Sequence, residues 1–289
     1  MLTVHAPAKV NLVLEVVGRG SKFHNICSIA QTIDLCDILT FEPASEIVFT
    51  CSEPALLEDN LVPRAARLLR EQCHVTDGAR IHLEKRIPWA AGLGGGSSDA
   101  AATLLALNSM WKTGLHRDSL IALGAEIGSD VPLFLVGGTV HMEGRGEQVR
   151  ALPDHPDMHV VVAVPRMPNL PGKTGLLYGR LRAEMFTTGQ FVRAAAYSLE
   201  QCKRIPEALM FNVFEKVADE VFEGLAHDRK LFEASTVAGW HLAGSGPCLY
   251  RLFDSKEAAR EAALRLRRAG RQAYIARTLK SADLETFLP

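Results

Sequence analysis

Apolar residues alternate loosely with other residues near the start of the chain, a pattern that predicts extended strands. Residues 2–17 include Val10, Leu12 and Leu14, and residues 26–41 carry a second apolar run. Side chains at every second position of a strand lie on one face, so each run can cover one side of a core. Shorter strands are predicted at 47–51, 79–83, 139–142, 159–164, 241–243, 248–253 and 273–278.

Apolar residues spaced three or four apart predict helices between these strands. Asp59 and Asn60 are suited to cap a helix whose first turn tolerates Pro63. Further helices are predicted after residue 97, at 117–127, just after Asp130, at 190–201, at 207–225 and at 255–269. Residues 165–175 contain three prolines and two glycines and are predicted to be a loop. Strands and helices are mixed without a regular βαβ repeat, which favours an α+β fold with helices on largely antiparallel sheets.

Composition excludes several classes of protein. The 289 residues are 47% hydrophobic and 22% charged with a formal net charge of −1, so a soluble globular protein is expected and nucleic-acid binding has no electrostatic support. No apolar run approaches the length of a membrane span, and the first residues lack the pattern of a signal peptide. The scattered cysteines contain no Cys-x-x-Cys pair, so we expect reduced thiols in a cytoplasmic protein. They are Cys27, Cys36, Cys51, Cys73, Cys202 and Cys248.

A glycine-rich stretch at residues 88–101 carries the clearest chemical pattern. Such a loop, where it feeds a helix N-terminus, presents free N–H groups and the positive end of the helix dipole to a phosphate. Ser97, Ser98 and Asp99 are residue types suited to cap that helix. The alternative is a tight turn before an ordinary core helix. The predicted phosphate-binding residues are Pro88, Trp89, Ala90, Ala91, Gly92, Leu93, Gly94, Gly95, Gly96, Ser97 and Ser98.

Other positions suit either chemistry or ordinary structure. Lys9 and Asn11 share one face of an apolar strand, where a lysine either extends to solvent at an edge or serves a site. Asp130 lies where a helix begins and is either a helix cap or a functional carboxylate. Gly244, Ser245 and Gly246 form a turn between strands, for which a simple hairpin is the default interpretation.

Residues 171–174 read Pro-Gly-Lys-Thr and imitate the end of a Walker A motif. That motif requires a glycine where Met167 stands, and no helix is predicted to begin at Lys173. We therefore do not assign a P-loop here.

Together these motifs resemble the superfamily of galactokinase, homoserine kinase, mevalonate kinase and phosphomevalonate kinase. Its three motifs occur in order: Pro-Ala-Lys-x-Asn-Leu at 7–12, the glycine-rich stretch at 88–101, and Gly-Ser-Gly at 244–246. The resemblance extends from about residue 6 to 253 and thins between 165 and 240. It implies an N-terminal ATP-binding lobe over 1–155 like the second domain of ribosomal protein S5, a ferredoxin-like C-terminal lobe over 156–289, and an active site between them.

The resemblance also implies roles for single residues. The loop at 88–98 would wrap the phosphates of ATP, with Mg²⁺ bridging them. The sequence assigns no protein ligand to the metal ion, and Ser98 is only a guess. Asp130 would accept the proton of the acceptor hydroxyl, Lys9 would keep that carboxylate ionised, and Asn11 would help to hold them. A nucleotide-binding regulator without catalytic activity would need neither Lys9 nor Asp130.

Within the superfamily, the chain most resembles kinases that act on a cytidine diphosphate-linked methylerythritol on the route to isoprenoid precursors. This rests on the glycine loop and on Glu58-Asp59-Asn60-Leu61, Gly128-Ser129-Asp130-Val131-Pro132 and Glu143-Gly144-x-Gly146-Glu147. Phe23 and Tyr178 would flank the cytosine and His24 would face its polar edge, with Gly244, Ser245 and Gly246 also binding the acceptor. Ser21-Lys22 stands where these kinases have Asp-Gly, which leaves another small-molecule kinase of the superfamily as the alternative. A monomer or weak homodimer is expected.

Overall fold

The computed structural model describes residues 1–20, 23–235 and 239–283. It contains an α+β arrangement, as predicted, in which two largely antiparallel sheets carry helices on their faces. The strands are β1 (Leu2–Arg19), β2 (His24–Ala44), β3 (Ile47–Cys51), β4 (Gly78–Glu84), β5 (Thr139–Gly144), β6 (Gln148–Ala151), β7 (His159–Val164), β8 (Phe211–Asn212), β9 (His241–Leu242), β10 (Leu249–Phe253) and β11 (Gln272–Arg277). The helices are α1 (Leu61–Gln72), α2 (Gly95–Met110), α3 (Arg117–Ile127), α4 (Val131–Val136), α5 (Lys173–Arg180), α6 (Gln190–Glu200), α7 (Ala218–Val221), α8 (Leu225–Ser235) and α9 (Lys256–Arg268).

The first sheet is organised around the long antiparallel pair β1 and β2. Within the described chain it has seven strands, in the order β3-β4-β2-β1-β8, with β5 paired to β2 and β6 paired to β5. β2 can hold two partners on one edge because its first half pairs with β5 and its second half with β4. The helices α1 to α4 cover the core beneath this sheet, where Phe41, Leu69, Leu104 and Phe134 are buried together.

The second sheet has the order β11-β7-β10-β9 and is antiparallel throughout. Its core includes Phe232 of α8, Leu249 of β10 and Leu266 of α9. The two halves of the chain are tied together, because β8 comes from the second half and pairs in parallel with β1 in the first sheet. In addition, the hydroxyl of Tyr250 on β10 donates to the carbonyl of Asn11 on β1 at 2.7 Å.

Three sequence predictions about local structure are wrong. The helix after the glycine loop begins at Gly95, because Gly94 adopts the left-handed conformation (φ 74°) at the N-cap, so Ser97, Ser98 and Asp99 lie inside the helix. Lys173 begins α5 and is not part of a loop. No single helix spans 207–225; β8 and α7 lie there, because the Asn212 side chain donates to the carbonyls of Leu242 and Gly244.

No helix in the described ranges is long and apolar enough to cross a membrane.

Candidate active site

A cavity of about 990 Å³ lies where the two sheets meet, and it gathers most of the residues singled out in the sequence. They come from β1, the start of β2, the glycine loop, the segment before α4, the helix α5 and the turn after β9. The lining includes Lys9, Asn11, Phe23, His24, Gly92, Gly94, Asp130, Tyr178, Gly244 and Ser245. Packing therefore brings together positions that lie far apart along the chain.

Lys9 and Asp130 form a pair at the floor of this cavity. The Lys9 ammonium is 3.5 Å from Asp130 Oδ2, and the two side chains are 5% and 36% exposed, respectively. Asp130 occupies the N-cap position of α4, yet its side chain makes no capping hydrogen bond within the described chain. Its carboxylate thus remains available to the cavity beside a fixed positive charge.

Asn11 and Ser28 orient Lys9 through a chain of hydrogen bonds. Lys9 Nζ donates to Asn11 Oδ1 at 2.6 Å, the Asn11 amide donates to Ser28 Oγ at 2.9 Å, and Ser28 Oγ donates to the Val13 carbonyl at 2.6 Å. The shared face of Lys9 and Asn11 on β1 is confirmed. Because Asn11 and Ser28 are buried, the ammonium is held in a fixed position.

The glycine loop lines a second, smaller cavity of about 370 Å³ together with Asn60, Leu61 and Lys85. Residues 88–97 line it, whereas Ser98, in the first turn of α2, is buried. A Cβ atom at Gly92 would lie 1.9 Å from the Ala243 carbonyl oxygen. The loop therefore packs directly against the Gly244-Ser245-Gly246 turn, and only glycine permits that approach.

A buried ion cluster fixes both ends of the loop. Lys85, just before the loop, donates to Asp99 in α2 at 2.9 Å and to Asp37 in β2. The other Asp37 oxygen accepts from the backbone N–H groups of Arg86 and Ile87. Burial alone would lower the pKa of Lys85, but the carboxylates of Asp99 and Asp37 raise it on balance. Burial raises the pKa of Asp99 well above its usual value, although the Lys85 charge opposes that rise.

Two polar atoms under the loop lack a hydrogen-bond partner among the described residues: Ser98 Oγ and Asp99 Oδ1. A Cβ atom at neighbouring Gly96 would meet nothing within 4 Å, so the space above the first turn of α2 is open. An open glycine cradle, a helix N-terminus and a spare hydroxyl together fit a phosphate group with its associated cation.

An aromatic cluster forms the opposite end of the larger cavity. The rings of His24 and Tyr178 are stacked with centroids 4.7 Å apart, and Phe186 and Phe214 pack edge-on against them. Phe23 is 60% exposed. Because His24 covers one face of Tyr178, a base can stack on that face only when His24 moves. Ser21 and Lys22, where the sequence departs from the expected pattern, lie outside the described residues.

Lys173, which sequence reasoning set aside with the false Walker motif, is a buried member of the site. Its ammonium donates to the Ser245 carbonyl and to Ser245 Oγ, both at 3.1 Å, and to the Gly246 carbonyl. The absence of the first Walker glycine still excludes a P-loop. The sequence signal that could have identified this site residue is the lysine itself, which lies five residues before Tyr178 and begins a helix.

Among the described residues, Cys27, His141 and Glu143 form a cluster outside this cavity whose donor atoms are close enough for a metal ion. Arg150 Nε donates to His141 Nδ1 at 3.1 Å, so a neutral His141 carries its proton on Nε2 and donates it to Cys27 Sγ, 3.4 Å away. Burial and Arg150 lower the pKa of His141, and burial raises that of Cys27 to about 11. This hydrogen-bonded thiol and imidazole pair leaves no free lone pair on Nε2 for a metal ion.

Two family descriptions match this chain: "GHMP kinases N terminal domain" over residues 60–138 and "GHMP kinases C terminal" over residues 195–272. Curated relatives named 4-diphosphocytidyl-2-C-methyl-D-erythritol kinase are similar over nearly their whole length. The relative from Dehalococcoides mccartyi is 42% identical over 98% of this chain and 100% of its own. The relative from a Synechococcus species is 37% identical over 95% of this chain and 96% of its own.

Solved structures show the same likeness. A crystal structure of 4-(cytidine 5'-diphospho)-2C-methyl-D-erythritol kinase superposes with a TM-score of 0.81 at 35% identity, covering 96% of this chain and 99% of that chain. Homoserine kinase from Cytophaga hutchinsonii superposes with a TM-score of 0.76 at 17% identity, covering 96% of this chain and 94% of that chain. The second likeness concerns the fold alone.

Proposed function

We infer the activity from one premise: this chain belongs to the GHMP kinase family, among the relatives named 4-diphosphocytidyl-2-C-methyl-D-erythritol kinase. It is an ATP-dependent kinase. We propose that it transfers the γ-phosphoryl group of ATP to the 2-hydroxyl of 4-diphosphocytidyl-2-C-methyl-D-erythritol, a step towards isoprenoid precursors. The observation that carries this proposal is the Lys9–Asp130 pair at the floor of the shared cavity.

In the proposed reaction, the oxygen of the acceptor hydroxyl bonds to the γ-phosphorus, and Asp130 accepts the proton of that hydroxyl. The bond from that phosphorus to the β–γ bridging oxygen breaks, and ADP leaves with the electron pair. Lys9, held by Asn11, offers its positive charge to the developing alkoxide. Phosphoryl transfer depends mainly on positioning and charge neutralisation, which a fixed lysine and carboxylate provide.

The glycine loop at residues 88–98 is the proposed site for the ATP phosphates. Support comes from the open space at Gly96, the N-terminus of α2 and the unpartnered Ser98 hydroxyl. Mg²⁺ bound with ATP would neutralise phosphate charge, and Ser98 is the candidate side chain to hold it. Trp89 and Ala90 at the loop tip would border the nucleotide, since they line the same small cavity.

The aromatic end of the larger cavity is the proposed cytidine site. Phe23 and Tyr178 would stack on the base, and His24 would meet its amino–ring-nitrogen edge once it leaves the face of Tyr178. Burial, then Arg19, lower the pKa of His24, so it is neutral at neutral pH and can both donate and accept. Gly244, Ser245 and Gly246 would bind the acceptor between this end and Asp130.

The division into an ATP-binding lobe at 1–155 and a second lobe at 156–289 is proposed with the same function. The site at their junction, built from β1 on one side and α5 on the other, is consistent with it. The cysteines are free thiols, in keeping with a reducing cytoplasm. We also propose a monomer or weak homodimer.

The decisive experiment supplies the purified protein with ATP, Mg²⁺ and one acceptor at a time and measures ADP release and the ³¹P spectrum of the product. We expect a phosphate on the tertiary hydroxyl of the cytidine-bearing methylerythritol, and no turnover of mevalonate, homoserine or galactose. Efficient turnover of mevalonate would leave only superfamily membership, and ATP binding without turnover of any acceptor would indicate a regulator.

The substitution Phe23→Ala tests the cytidine site in the same assay. Loss of one stacking ring is expected to cost about 1–3 kcal/mol of base binding, and hence to raise the acceptor KM while the KM for ATP stays nearly constant. An exposed aromatic outside the cavity, replaced in Tyr197→Phe, is the control. An effect of Phe23→Ala confined to ATP would contradict the assignment.

A further inference from the structure

Lys173 is a buried cation whose partners are all neutral. Its ammonium donates to the carbonyl oxygens of Ser245 and Gly246 and to the Ser245 hydroxyl. Among the residues that the structure describes, no carboxylate lies within 4.0 Å of it. A buried charge is costly unless an opposite charge compensates it. Lys173 is therefore arranged to receive an anion that the protein itself does not supply.

The surroundings of Lys173 disfavour its charge on balance, because burial and Lys9 outweigh the opposing effect of Cys248. Lys9 on β1 and Cys248 before β10 face the ammonium, with Asp130 beside Lys9 and Tyr178 on the same helix as Lys173. Burial, followed by the Lys9 charge, lowers the pKa of Lys173 to about 8. Burial raises the pKa values of Cys248 and Tyr178 to about 12, so neither thiol nor phenol titrates near that pH.

The position of Lys173 identifies the class of anion. It begins α5 within the cavity that also holds Lys9 and Asp130, and it lies near Lys9. Its hydrogen-bonded turn contacts Gly92 of the glycine loop, where a Cβ atom would lie 2.8 Å from the Gly246 nitrogen. Lys173 thus shares a cavity with the proposed reacting pair, and the turn that it holds contacts the proposed phosphate loop. The anions that meet there are phosphate groups.

We propose that Lys173 is a further catalytic residue, which releases the carbonyl oxygens of the Ser245–Gly246 turn and binds phosphate oxygens of the reacting substrates. This inference rests on the proposed kinase activity. Either the transferred phosphoryl group or the diphosphate of the acceptor can supply those oxygens. A lysine ammonium can bind either of these groups, because it is a compact charge with three donors.

The proposed role has a pH dependence with a defined sign. Only the protonated ammonium attracts phosphate, so kcat/KM, which reports the free enzyme, should fall as the pH rises through about 8. Bound phosphate stabilises the charged form, so the corresponding fall in kcat should occur at higher pH. Lys173→Arg keeps a positive charge at every accessible pH and should abolish this alkaline fall.

The experiment compares wild type, Lys173→Arg and Lys173→Gln across pH 6–10 with ATP and the cytidine-bearing acceptor. Glutamine keeps N–H donors for the turn but removes the charge, so it separates catalysis from structural support. We expect Lys173→Gln to lose about 10²–10³-fold in kcat/KM, the size of loss seen when a charge-stabilising donor is removed. A loss in kcat would assign the contact to the transferred phosphoryl group, and a rise in the acceptor KM would assign it to the acceptor diphosphate.

Lys256→Gln, at an exposed lysine that begins α9, is the matched control. Wild-type turnover separates the two claims: an inactive wild type contradicts the proposed function and this inference with it. If wild type is active while Lys173→Gln shows normal kcat/KM with only a lower melting temperature, Lys173 merely supports the turn. The proposal would also be overturned if kcat/KM of Lys173→Arg fell at alkaline pH as it does in wild type. This measurement can be made even if Lys173→Gln does not fold.

Discussion

Asp130 lies where a helix cap is expected, but its carboxylate makes no capping bond and is 3.5 Å from the Lys9 ammonium. The residue type and its position before a helix suit a helix cap as well as a functional carboxylate, and only the neighbouring Lys9 distinguishes the two. A carboxylate that faces the cavity beside a fixed cation is placed to act on a substrate hydroxyl. The side chain is therefore expected to matter for turnover and not for the stability of α4.

Asp130→Asn tests this at the scale of one residue. The amide cannot accept the hydroxyl proton, so kcat is expected to fall about 10²–10⁴-fold, while ATP affinity and the melting temperature stay near wild type. Steady-state ADP release and thermal unfolding provide the two measurements. Asp118→Asn, in the first turn of α3, is the control for removing an acid near a helix start. Near-normal turnover of Asp130→Asn would exclude it as the base.

At the scale of elements, the glycine loop is held at three points and not by its own sequence alone. Lys85 before the loop is paired with Asp99 after it, and Lys85 is also paired with Asp37 of β2. Within the loop, the Leu93 carbonyl accepts from Lys9 N–H at 2.9 Å and the Ala91 carbonyl accepts from Cys248 N–H at 3.3 Å. A loop fixed in this way offers its N–H groups to phosphate without a further ordering cost.

Gly94→Ala should disturb this loop. Gly94 has φ 74°, a conformation that costs other residues about 1–2 kcal/mol, and its Cβ would lie 2.8 Å from Phe134 Cζ and 3.0 Å from Lys9 Cγ. The strain is expected to weaken ATP binding about tenfold, since 1.4 kcal/mol corresponds to that factor. Isothermal titration with ATP measures it.

Gly18→Ala provides the matched control for that titration, because its Cβ would meet nothing within 4 Å and its φ is not positive. Unchanged ATP affinity in folded Gly94→Ala would count against the phosphate loop. A similar loss in Gly18→Ala would show a non-specific effect.

At the scale of the whole molecule, the site exists because the two sheets are joined. Tyr250 of the second sheet reaches the Asn11 carbonyl of the first, and Leu279 N–H donates to the Thr32 carbonyl at 2.9 Å. The second half of the chain also adds β8 to the first sheet beside β1. These contacts set the distance between Lys9 on β1 and the Ser245 turn. Stability and site geometry are therefore expected to be coupled.

Tyr250→Phe tests the coupling. Phenylalanine keeps the buried ring but removes the donor to Asn11, which should lower the free energy of unfolding by about 1–3 kcal/mol because a buried carbonyl loses its partner. Urea unfolding measures this change, and a modest fall in kcat is expected alongside it. Exposed Tyr197→Phe should change neither. Equal stability of Tyr250→Phe and wild type would mean that the contact between the two sheets does not depend on the hydrogen bond from Tyr250 to Asn11.

Much of the fold could be predicted from local patterns because their causes are local. Alternating apolar residues predicted β1 and β2, and Asn60 was correctly expected to cap α1, where its side chain accepts from Val62 N–H. The α+β class followed from the order of these elements. The prediction of a helix over 207–225 failed because Asn212 is bonded to the carbonyls of Leu242 and Gly244, some thirty residues later in the chain.

The sequence by itself determined the family, through three motifs in order, and it identified the residue types that suit phosphoryl transfer. Only the tertiary structure decided that Asp130 faces Lys9, that Asp99 belongs to a buried ion cluster, and that Lys173 is a cation in the cavity. The physical reason is that charge acts through space and burial. The partner of Lys173 is Ser245, 72 residues away along the chain, and no local pattern encodes that distance.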